Sequence, residues 1–275
     1  MITIINFLIF FRLHNVFLGI MLILTGGFLG GGRIQITQSL AIAVLAIIFA
    51  GMGCVALNNY WDQEVDKIVH PRRADALEYF SLRFAYISGF MLFSLAIITG
   101  LFVSILFEFF IVGGFILFLF YEFITKNRGL IGNITVAITL PLIIIAGGVA
   151  VNNPYPSFVI FVISFFPVLG GEILRDIRDL EGDKKNRHTL PMSIGVPAAQ
   201  TLGIGLISTY LFLSIIPYFI DLVDLLYIPG IVIADIMIIT VIVCGNIKKY
   251  SIRSITEITK FAWIIGTISL VVGIS

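Results

Sequence analysis

The feature that most constrains this chain is a series of nine long apolar stretches. A helix needs about 20 mostly apolar residues to cross the hydrocarbon core of a bilayer. The stretches lie at 14–32, 38–58, 83–104, 106–124, 131–151, 157–175, 197–217, 227–245 and 256–274. In lipid only helices and closed barrels satisfy their own backbone polar groups, and strand-like alternation is absent here. We therefore predict an all-α, polytopic membrane protein: a bundle of about nine transmembrane helices around a central cavity, with residues 1–275 forming one domain.

The composition agrees with a membrane protein. Hydrophobic residues make up 59% of the chain and charged residues only 12%, whereas roughly a quarter of a soluble domain is charged. The net charge of +1 gives no reason to expect a nucleic-acid partner, so we predict none. Cys54 and Cys244 stand alone and indicate neither a disulfide framework nor a zinc site. The lipid bilayer is the expected environment, and the sequence leaves the oligomeric state open.

The basic residues predict how the chain is oriented. Nine spans place 16 of the 17 Lys and Arg residues on one side of the membrane. These are Arg12, Lys67, Arg72, Arg73, Arg83, Lys126, Arg128, Arg175, Arg178, Lys184, Lys185, Arg187, Lys248, Lys249, Arg253 and Lys260. Arg33 is the exception. Because basic loops favour the cytoplasmic side, we predict a multi-pass protein of the cell membrane with a cytoplasmic N-terminus and an external C-terminus.

Two of the predicted cytoplasmic loops carry polar residues at helical spacing. The sets are Asn58, Asp62 and Asp66 after the second stretch, and Asp176, Asp179 and Asp183 after the sixth. The first set is spaced i, i+4, i+8 and the second i, i+3, i+7. If the helices continue into the loops, each set shares one helix face.

Carboxylates stacked on one face repel each other, by roughly 0.2–0.5 kcal/mol per exposed pair. Mg²⁺ would offset that repulsion, because it is a hard cation that takes carboxylate oxygens together with substrate phosphates and water. No His or Cys cluster favours a softer metal. The alternative is that both sets are solvated loop faces paired with nearby Lys and Arg. Their position at the membrane edge favours a functional role, since ionisable groups there are costly.

At these residues the sequence resembles the UbiA-type family of intramembrane prenyltransferases. That family carries an N-D-x-x-D-x-x-x-D-like motif after its second helix and another Asp-rich motif after its sixth. Here the first motif is 58–66 and the second is 175–183, followed by Thr189-Leu190-Pro191 and Gly195. Further points of resemblance are Arg12 with Asn15, and Tyr121 with Lys126 and Asn133. Asn59 departs from the pattern, since the family commonly has Asp there. The loop after Asp66 keeps Pro71 and Arg73 but lacks a second proline.

The resemblance implies a nine-helix fold and an enzyme that ionises a polyprenyl diphosphate. It implies Mg²⁺ and diphosphate between the two motifs, with Asp62, Asp66 and Asp183 as catalytic residues. The metal–diphosphate set would be Asn58, Asp62, Asp66, Asp176, Asp179 and Asp183. The substrate-binding set would be Lys126, Arg73, Asn15, Tyr121 and Arg128. Three of these have plainer alternatives: a polar anchor for Asn15, an interfacial aromatic for Tyr121, and a topology signal for Arg128.

The second motif also bears on the acceptor. Its Glu172, Asp176, Glu181-Gly182-Asp183 and Thr189-Leu190-Pro191 pattern resembles members that alkylate geranylgeranylglyceryl phosphate. This implies Mg²⁺-dependent transfer of a geranylgeranyl group to the free hydroxyl of that lipid phosphate, in archaeal-type ether lipid synthesis. The alternative is an aromatic acceptor such as 4-hydroxybenzoate, in quinone synthesis.

Another class of protein, a transporter of cations or lipids, also fits nine helices with acidic residues. Transporters usually keep polar groups and broken helices near the bilayer midplane. Here Asp235 alone lies in such a position, and we expect it only to form a hydrogen bond between helices. A CDP-alcohol phosphotransferase is disfavoured because its longer D-G-x-x-A-R-type motif is not visible.

Overall fold

The computed structural model describes residues 2–183, 187–245 and 251–274, and the regular structure in these ranges is helical throughout. Four of the basic residues predicted to be cytoplasmic, Lys184, Lys185, Lys248 and Lys249, lie outside the described residues. Within the described ranges, nine segments are long and apolar enough to cross a membrane. They are Leu13–Gly31, Gln38–Trp61, Leu82–Leu101, Ile105–Thr125, Leu130–Ala150, Tyr155–Arg178, Val196–Phe219, Tyr227–Gly245 and Ile252–Val272. The predicted fold class is confirmed.

The helices are numbered in chain order. They are α1 Ile2–Phe10, α2 Leu13–Gly31, α3 Gln38–Trp61, α4 Gln63–Val69, α5 Pro71–Phe80, α6 Leu82–Leu101, α7 Ile105–Phe120, α8 Leu130–Ala150, α9 Tyr155–Arg178, α10 Leu180–Asp183, α11 Leu190–Ile194, α12 Val196–Ser208, α13 Tyr210–Leu213, α14 Ile216–Phe219, α15 Tyr227–Gly245 and α16 Ile252–Val272. A π-helical turn, Tyr121–Thr125, continues α7.

The seventh predicted stretch is not one helix but three, α12 to α14. Pro217 lies at the start of α14 and has no N–H to donate to the preceding turn, which accounts for the last of the breaks. Beside this broken segment, Ser214 Oγ donates to Asp235 Oδ2 of α15 at 3.2 Å. The expected inter-helix hydrogen bond of Asp235 is therefore present.

Glycine brings several helix pairs into close backbone contact. A methyl group on Gly26 of α2 would overlap the carbonyl oxygen of Ile144 in α8, and one on Gly147 of α8 would overlap the carbonyl oxygen of Ile23. Gly53 and Gly89 make a similar pair between α3 and α6, as do Gly170 and Gly203 between α9 and α12. Small residues are what allow transmembrane helices to approach this closely, since lipid supplies little hydrophobic drive for their association.

Capping side chains determine where several of the helices begin. Ser or Thr side chains accept a hydrogen bond from a backbone N–H in the first turn of four long helices. These caps are Thr37 for α3, Ser81 for α6, Ser104 for α7 and Ser251 for α16. At the opposite ends of α3 and α9 the chain continues into the short helices α4 and α10, which pack on each other. This contact brings the two Asp-rich motifs to the same end of the bundle.

Candidate active site

Each Asp-rich motif contains a break at its central aspartate. Helix α3 ends at Trp61, Asp62 leaves helical geometry with φ −90° and ψ 10°, and α4 follows. Asp179 makes the same break between α9 and α10, with φ −96° and ψ 5°. Hydrogen bonds of i→i−4 type still span both breaks, including Asp66 N to Asp62 O at 2.8 Å. The motifs thus keep their helical spacing, although neither helix runs on unbroken.

Asp62 lies at the centre of a buried group of charged side chains. Lys126 Nζ lies 2.5 Å from Asp62 Oδ1 and 2.5 Å from Glu122 Oε1. With its amide nitrogen turned toward the acids, Asn58 donates to Glu122 Oε2 at 3.1 Å and to Asp62 Oδ2 at 3.3 Å. The Lys126 and Glu122 side chains are 7% and 6% exposed, so solvent screens these charges little.

The π-helical turn places Lys126 in this group. Lys126 N donates to Tyr121 O at 2.8 Å, an i→i−5 bond that widens the helix by one residue. Such turns are often found at functional sites. Without the extra residue, the side chains beyond it would be rotated around the helix axis away from Asp62.

Arg187 connects the two motifs. Its Nη2 lies 3.8 Å from Asp62 Oδ2 and its Nε lies 3.8 Å from Asp183 Oδ1. Burial lowers the pKa of the Arg187 guanidinium, but Tyr121 and the neighbouring acids outweigh it, so the net shift is upward. Burial also raises the pKa of Asp183, against the opposing effect of Arg187. The guanidinium therefore remains charged between the two motifs.

A second buried network surrounds Asp66. Arg12 Nη2 donates to Asn59 Oδ1 at 2.8 Å and approaches Asp66 Oδ2 at 3.4 Å, while Arg73 Nη1 lies 3.7 Å from Asp66 Oδ1. Asn59 Nδ2 donates to the carbonyl of Phe10 at 2.8 Å. Burial, and then the charge of Arg73, lower the pKa of Arg12 to about 10. Burial raises the pKa of Asp66, and the two guanidinium groups oppose that rise.

The remaining acids of the second motif differ in their contacts. Asp176 Oδ2 accepts from Asn133 Nδ2 at 3.0 Å. Asp179 instead forms a two-point pair with the adjacent Arg178, at 2.8 and 2.7 Å. Asp176 thus joins the other site residues, whereas Asp179 is engaged by its neighbour.

A pocket opens beside these networks. It is lined by Tyr121, Lys126, Gly129, Gly132, Asn133, Val136, Glu172, Asp176, Arg187 and Thr189. Gly129 has φ +51°, a conformation that L side chains rarely adopt, and it lies against the backbone of Leu190. The pocket therefore combines cations, acids and an amide in one concavity.

Two of the predicted substrate-binding residues lie apart from this group. Asn15 and Arg128 are both exposed, and no acid within the described ranges pairs with Arg128. The other three, Lys126, Arg73 and Tyr121, lie at the networks or the pocket.

The site set predicted from sequence omitted five residues that the structure places in these networks: Arg12, Asn59, Glu122, Asn133 and Arg187. Glu122 had a usable signal, because it lies four residues before Lys126, a spacing at which opposite charges pair on a helix. Arg12 and Asn133 stood only among the wider points of resemblance. Arg187 stood only among the basic residues that predict the orientation.

The donor chemistry suits a hard divalent cation that binds with a phosphate. Within the described residues no three His, Cys, Asp or Glu side chains are grouped closely enough to hold a metal alone. Mg²⁺, however, is usually bound through one or two carboxylates plus substrate phosphates and water. Asp62 and Asp183, on either side of Arg187, offer carboxylates of that kind. The residues present therefore fit a metal that arrives with a diphosphate.

Comparisons with known proteins agree with this architecture. The model of the UbiA prenyltransferase family matches residues 19–273. Digeranylgeranylglyceryl phosphate synthase of Methanosphaera stadtmanae is 31% identical over 220 residues, which cover 79% of this chain and 81% of that protein.

Two solved structures share the fold. One, of digeranylgeranylglyceryl phosphate synthase, has a TM-score of 0.80 at 23% identity and covers 100% of this chain and 99% of that one. A UbiA homolog from Archaeoglobus fulgidus, solved with GPP and Mg²⁺, has a TM-score of 0.72 at 18% identity and covers 98% of both chains. With a family match over nearly its whole length, this chain belongs to the UbiA prenyltransferase family.

Proposed function

We propose that this prenyltransferase moves a geranylgeranyl group from geranylgeranyl diphosphate to the free hydroxyl of geranylgeranylglyceryl phosphate. The observation that carries the proposal is the meeting of the two Asp-rich motifs at Arg187, whose guanidinium lies 3.8 Å from both Asp62 and Asp183. An arrangement of acids around a few cations suits a diphosphate that brings its own metal. Family membership favours an enzyme over the transporter alternative.

The choice of acceptor is supported by relatives and by the second motif. Similar proteins bear the name digeranylgeranylglyceryl phosphate synthase, including the one from Methanosphaera stadtmanae. Glu172, Asp176, Glu181-Gly182-Asp183 and Thr189-Leu190-Pro191 form a pattern that resembles members with this acceptor. The aromatic acceptor has no comparable support and becomes an outcome of the test.

Asp62, Asp66, Asp176 and Asp183 would hold Mg²⁺ together with the diphosphate, and Asn58 would orient an oxygen ligand beside them. The Archaeoglobus fulgidus homolog was solved with Mg²⁺, which supports this choice of metal. When bound, the metal supplies positive charge against the departing diphosphate, which lowers the barrier to ionisation. Asp179 would bind the metal only if its ion pair with Arg178 were broken first.

The cations of the chain would bind the diphosphate directly. Arg187 already lies between acids of both motifs and Lys126 beside Asp62, and the step needs them to move only from carboxylate to phosphate oxygens. Preorganised charge of this kind favours the transition state, in which negative charge builds on the leaving group. Arg73 would do the same from the Asp66 side. Tyr121 lines the pocket, so its ring could face the allylic cation.

An assay on the purified protein tests the proposal. Protein in detergent, with Mg²⁺ and geranylgeranyl diphosphate, is offered geranylgeranylglyceryl phosphate or 4-hydroxybenzoate, and the prenylated product is measured. We expect an ether product from the lipid phosphate. The Asp62→Asn/Asp183→Asn double variant should lose it by about 1,000-fold or more, because two charged groups act on one leaving group.

The matched control is Asp75→Asn, which removes an exposed acid from α5 near the same end of the bundle. It should retain the wild-type rate. If 4-hydroxybenzoate were prenylated and the lipid phosphate were not, the protein would still be a prenyltransferase, but its acceptor would be aromatic. Prenylation of neither acceptor, with diphosphate bound as well by the double variant as by the wild type, would refute the proposal.

A further inference from the structure

Two polar groups that line the pocket have no role in binding the diphosphate. Thr189 is 3% exposed, and its Oγ1 has no hydrogen-bond partner among the described residues. Glu172 Oε1 is buried and lies 2.7 Å from Arg175 Nη1, but not in hydrogen-bond geometry. Buried polar groups are nearly always satisfied, so the unpartnered Thr189 hydroxyl, in one pocket with a carboxylate oxygen that has an ion pair but no hydrogen bond, points to a ligand.

The proposed reaction needs a proton acceptor at this place. When the acceptor oxygen bonds to C1 of the allylic group, the C1–O bond to diphosphate breaks and the electron pair leaves with the diphosphate. The alkylated oxygen still carries its proton and a positive charge. That proton must pass to a base before a neutral ether is released. A protonated ether is a strong acid, so the base needs the right position and a negative charge rather than high basicity.

We propose that Glu172 is the catalytic base that takes this proton, with Thr189 Oγ1 hydrogen-bonding the acceptor oxygen, an inference that rests on the proposed function. Arg175 favours the charged form of Glu172 without occupying Oε1 in a hydrogen bond. The pocket also contains Lys126 and Arg187, so an acceptor there lies beside the proposed diphosphate position. The proton moves from the acceptor oxygen to the Glu172 carboxylate, and the ether remains.

Other acids near the pocket are less suited to this role. Asp176 accepts from Asn133 at 3.0 Å and belongs to the Asp-rich motif. Glu122 is engaged by Lys126 at 2.5 Å and by Asn58 at 3.1 Å. Glu172 also lines the pocket, and its Oε1 forms an ion pair with Arg175 but accepts no hydrogen bond.

Glu172→Gln tests the inference, because it keeps the shape of the side chain and removes the proton acceptor. Ether product and released diphosphate are measured in the same reaction with geranylgeranyl diphosphate, Mg²⁺ and geranylgeranylglyceryl phosphate. We expect ether formation to fall by about 100-fold or more, the usual contribution of a general base. Diphosphate release should fall far less, with geranylgeraniol from capture by water making up the difference.

Three further variants complete the design. Glu78→Gln changes an exposed acid of α5, outside both motifs, and should leave both products at wild-type levels. Asp176→Asn should lower both products together, because it acts on ionisation. Glu172→Asp retains a carboxylate and should recover about tenfold or more of the ether lost in Glu172→Gln. The last variant also provides an answer if Glu172→Gln does not fold.

Ether formation by Glu172→Gln within about threefold of wild type would overturn the inference. So would an equal fall in ether and diphosphate, since that would mean a role in ionisation or folding. Failure of the proposed function looks different: the wild-type protein itself would then form no ether from geranylgeranylglyceryl phosphate.

Discussion

Asn59 is the residue at which this chain departs from the first family motif, and its contacts explain why an amide suits the position. It accepts from Arg12 through one atom and donates to the Phe10 carbonyl through the other, at 2.8 Å each. An ionised carboxylate can only accept. The neutral amide also orients Arg12 but does not neutralise the guanidinium, so the positive charge of Arg12 still acts on Asp66.

Asn59→Asp should therefore destabilise the protein. The Phe10 carbonyl would lose its donor and face a buried carboxylate, since position 59 is 2% exposed. An unsatisfied buried group costs roughly 1–3 kcal/mol. Thermal unfolding in detergent should show a lower midpoint. Asn127→Asp, which makes the same change at an exposed position, is the control and should not shift it. Equal midpoints for the two variants would contradict this account.

Lys126 leads to a prediction about metal binding. In the free protein its ammonium group pairs with both Asp62 and Glu122, so it competes with Mg²⁺ for their oxygens. We expect Mg²⁺ to bind weakly on its own and more tightly together with inorganic diphosphate. In the second case the Lys126 ammonium can leave the carboxylates and pair with the diphosphate. Coupling of this kind is typically 5–150-fold. Isothermal titration calorimetry with each ligand, alone and together, measures it.

Lys126→Gln should bind Mg²⁺ alone more tightly than the wild type and lose most of the coupling. Lys67→Gln removes an exposed lysine whose one ion pair among the described residues is with Glu64 in its own helix, and it should behave as wild type. Tighter binding by neither variant would show that Lys126 does not compete with the metal.

The site residues that could be predicted from sequence are those whose signal is local. Asp62, Asp66 and Asp183 are recognisable from spacing within one helix and its extension. Arg12 meets Asn59 and Asp66 across 47 and 54 positions, and no local pattern encodes such contacts. They depend on Arg12 itself, whose left-handed backbone, φ 45° and ψ 52°, turns the chain between α1 and α2.

Some features of the helices could be predicted from the sequence and others could not. The nine spans were predictable because apolar length alone decides whether a helix can cross lipid. The π-helical turn at Tyr121–Thr125 and the breaks at Asp62 and Asp179 were not, since hydropathy does not register one inserted or displaced residue. These small irregularities determine which side chains reach the site.

The close packing of α2 against α8 depends on Gly147, which lies against the backbone of Ile23. Gly147→Ala would place a methyl group on the carbonyl oxygen of Ile23, with backbone on both sides and no flexible group to yield. Overpacking typically costs about 1–3 kcal/mol. A methyl group on Gly114 of α7 would meet no atom of the described residues within 4 Å outside its own turn of helix, and Gly114→Ala gains the same helix propensity. The thermal midpoint should fall for Gly147→Ala only, and a fall of equal size in both would contradict the packing explanation.

The whole molecule has its acid-rich end on the side where basic residues gather. From that asymmetry we propose that the N-terminus and the site face the cytoplasm and that the C-terminus lies outside. The orientation stays a prediction from sequence, and it depends on loop charge summed over the chain, which errors of a few residues in helix bounds do not alter.

Single cysteines provide the test of orientation. In a background lacking Cys54 and Cys244, Asp75→Cys lies at the site end and Gln35→Cys in the loop between α2 and α3, both exposed. A membrane-impermeant maleimide should label Gln35→Cys in intact cells and Asp75→Cys only after permeabilisation. The reverse pattern would invert the proposed orientation.

The meeting of both Asp-rich motifs at one end of the bundle has a kinetic consequence. Two amphiphiles whose headgroups meet there, as those of the proposed substrates would, can arrive, combine and leave within a single leaflet, and neither headgroup has to cross the bilayer. The two lipids then meet by lateral diffusion in the leaflet. The reaction rate depends on the mole fraction of each lipid in the membrane rather than on its concentration in the bulk solution. Added inert detergent would slow such an enzyme by dilution alone, with every residue of its site intact.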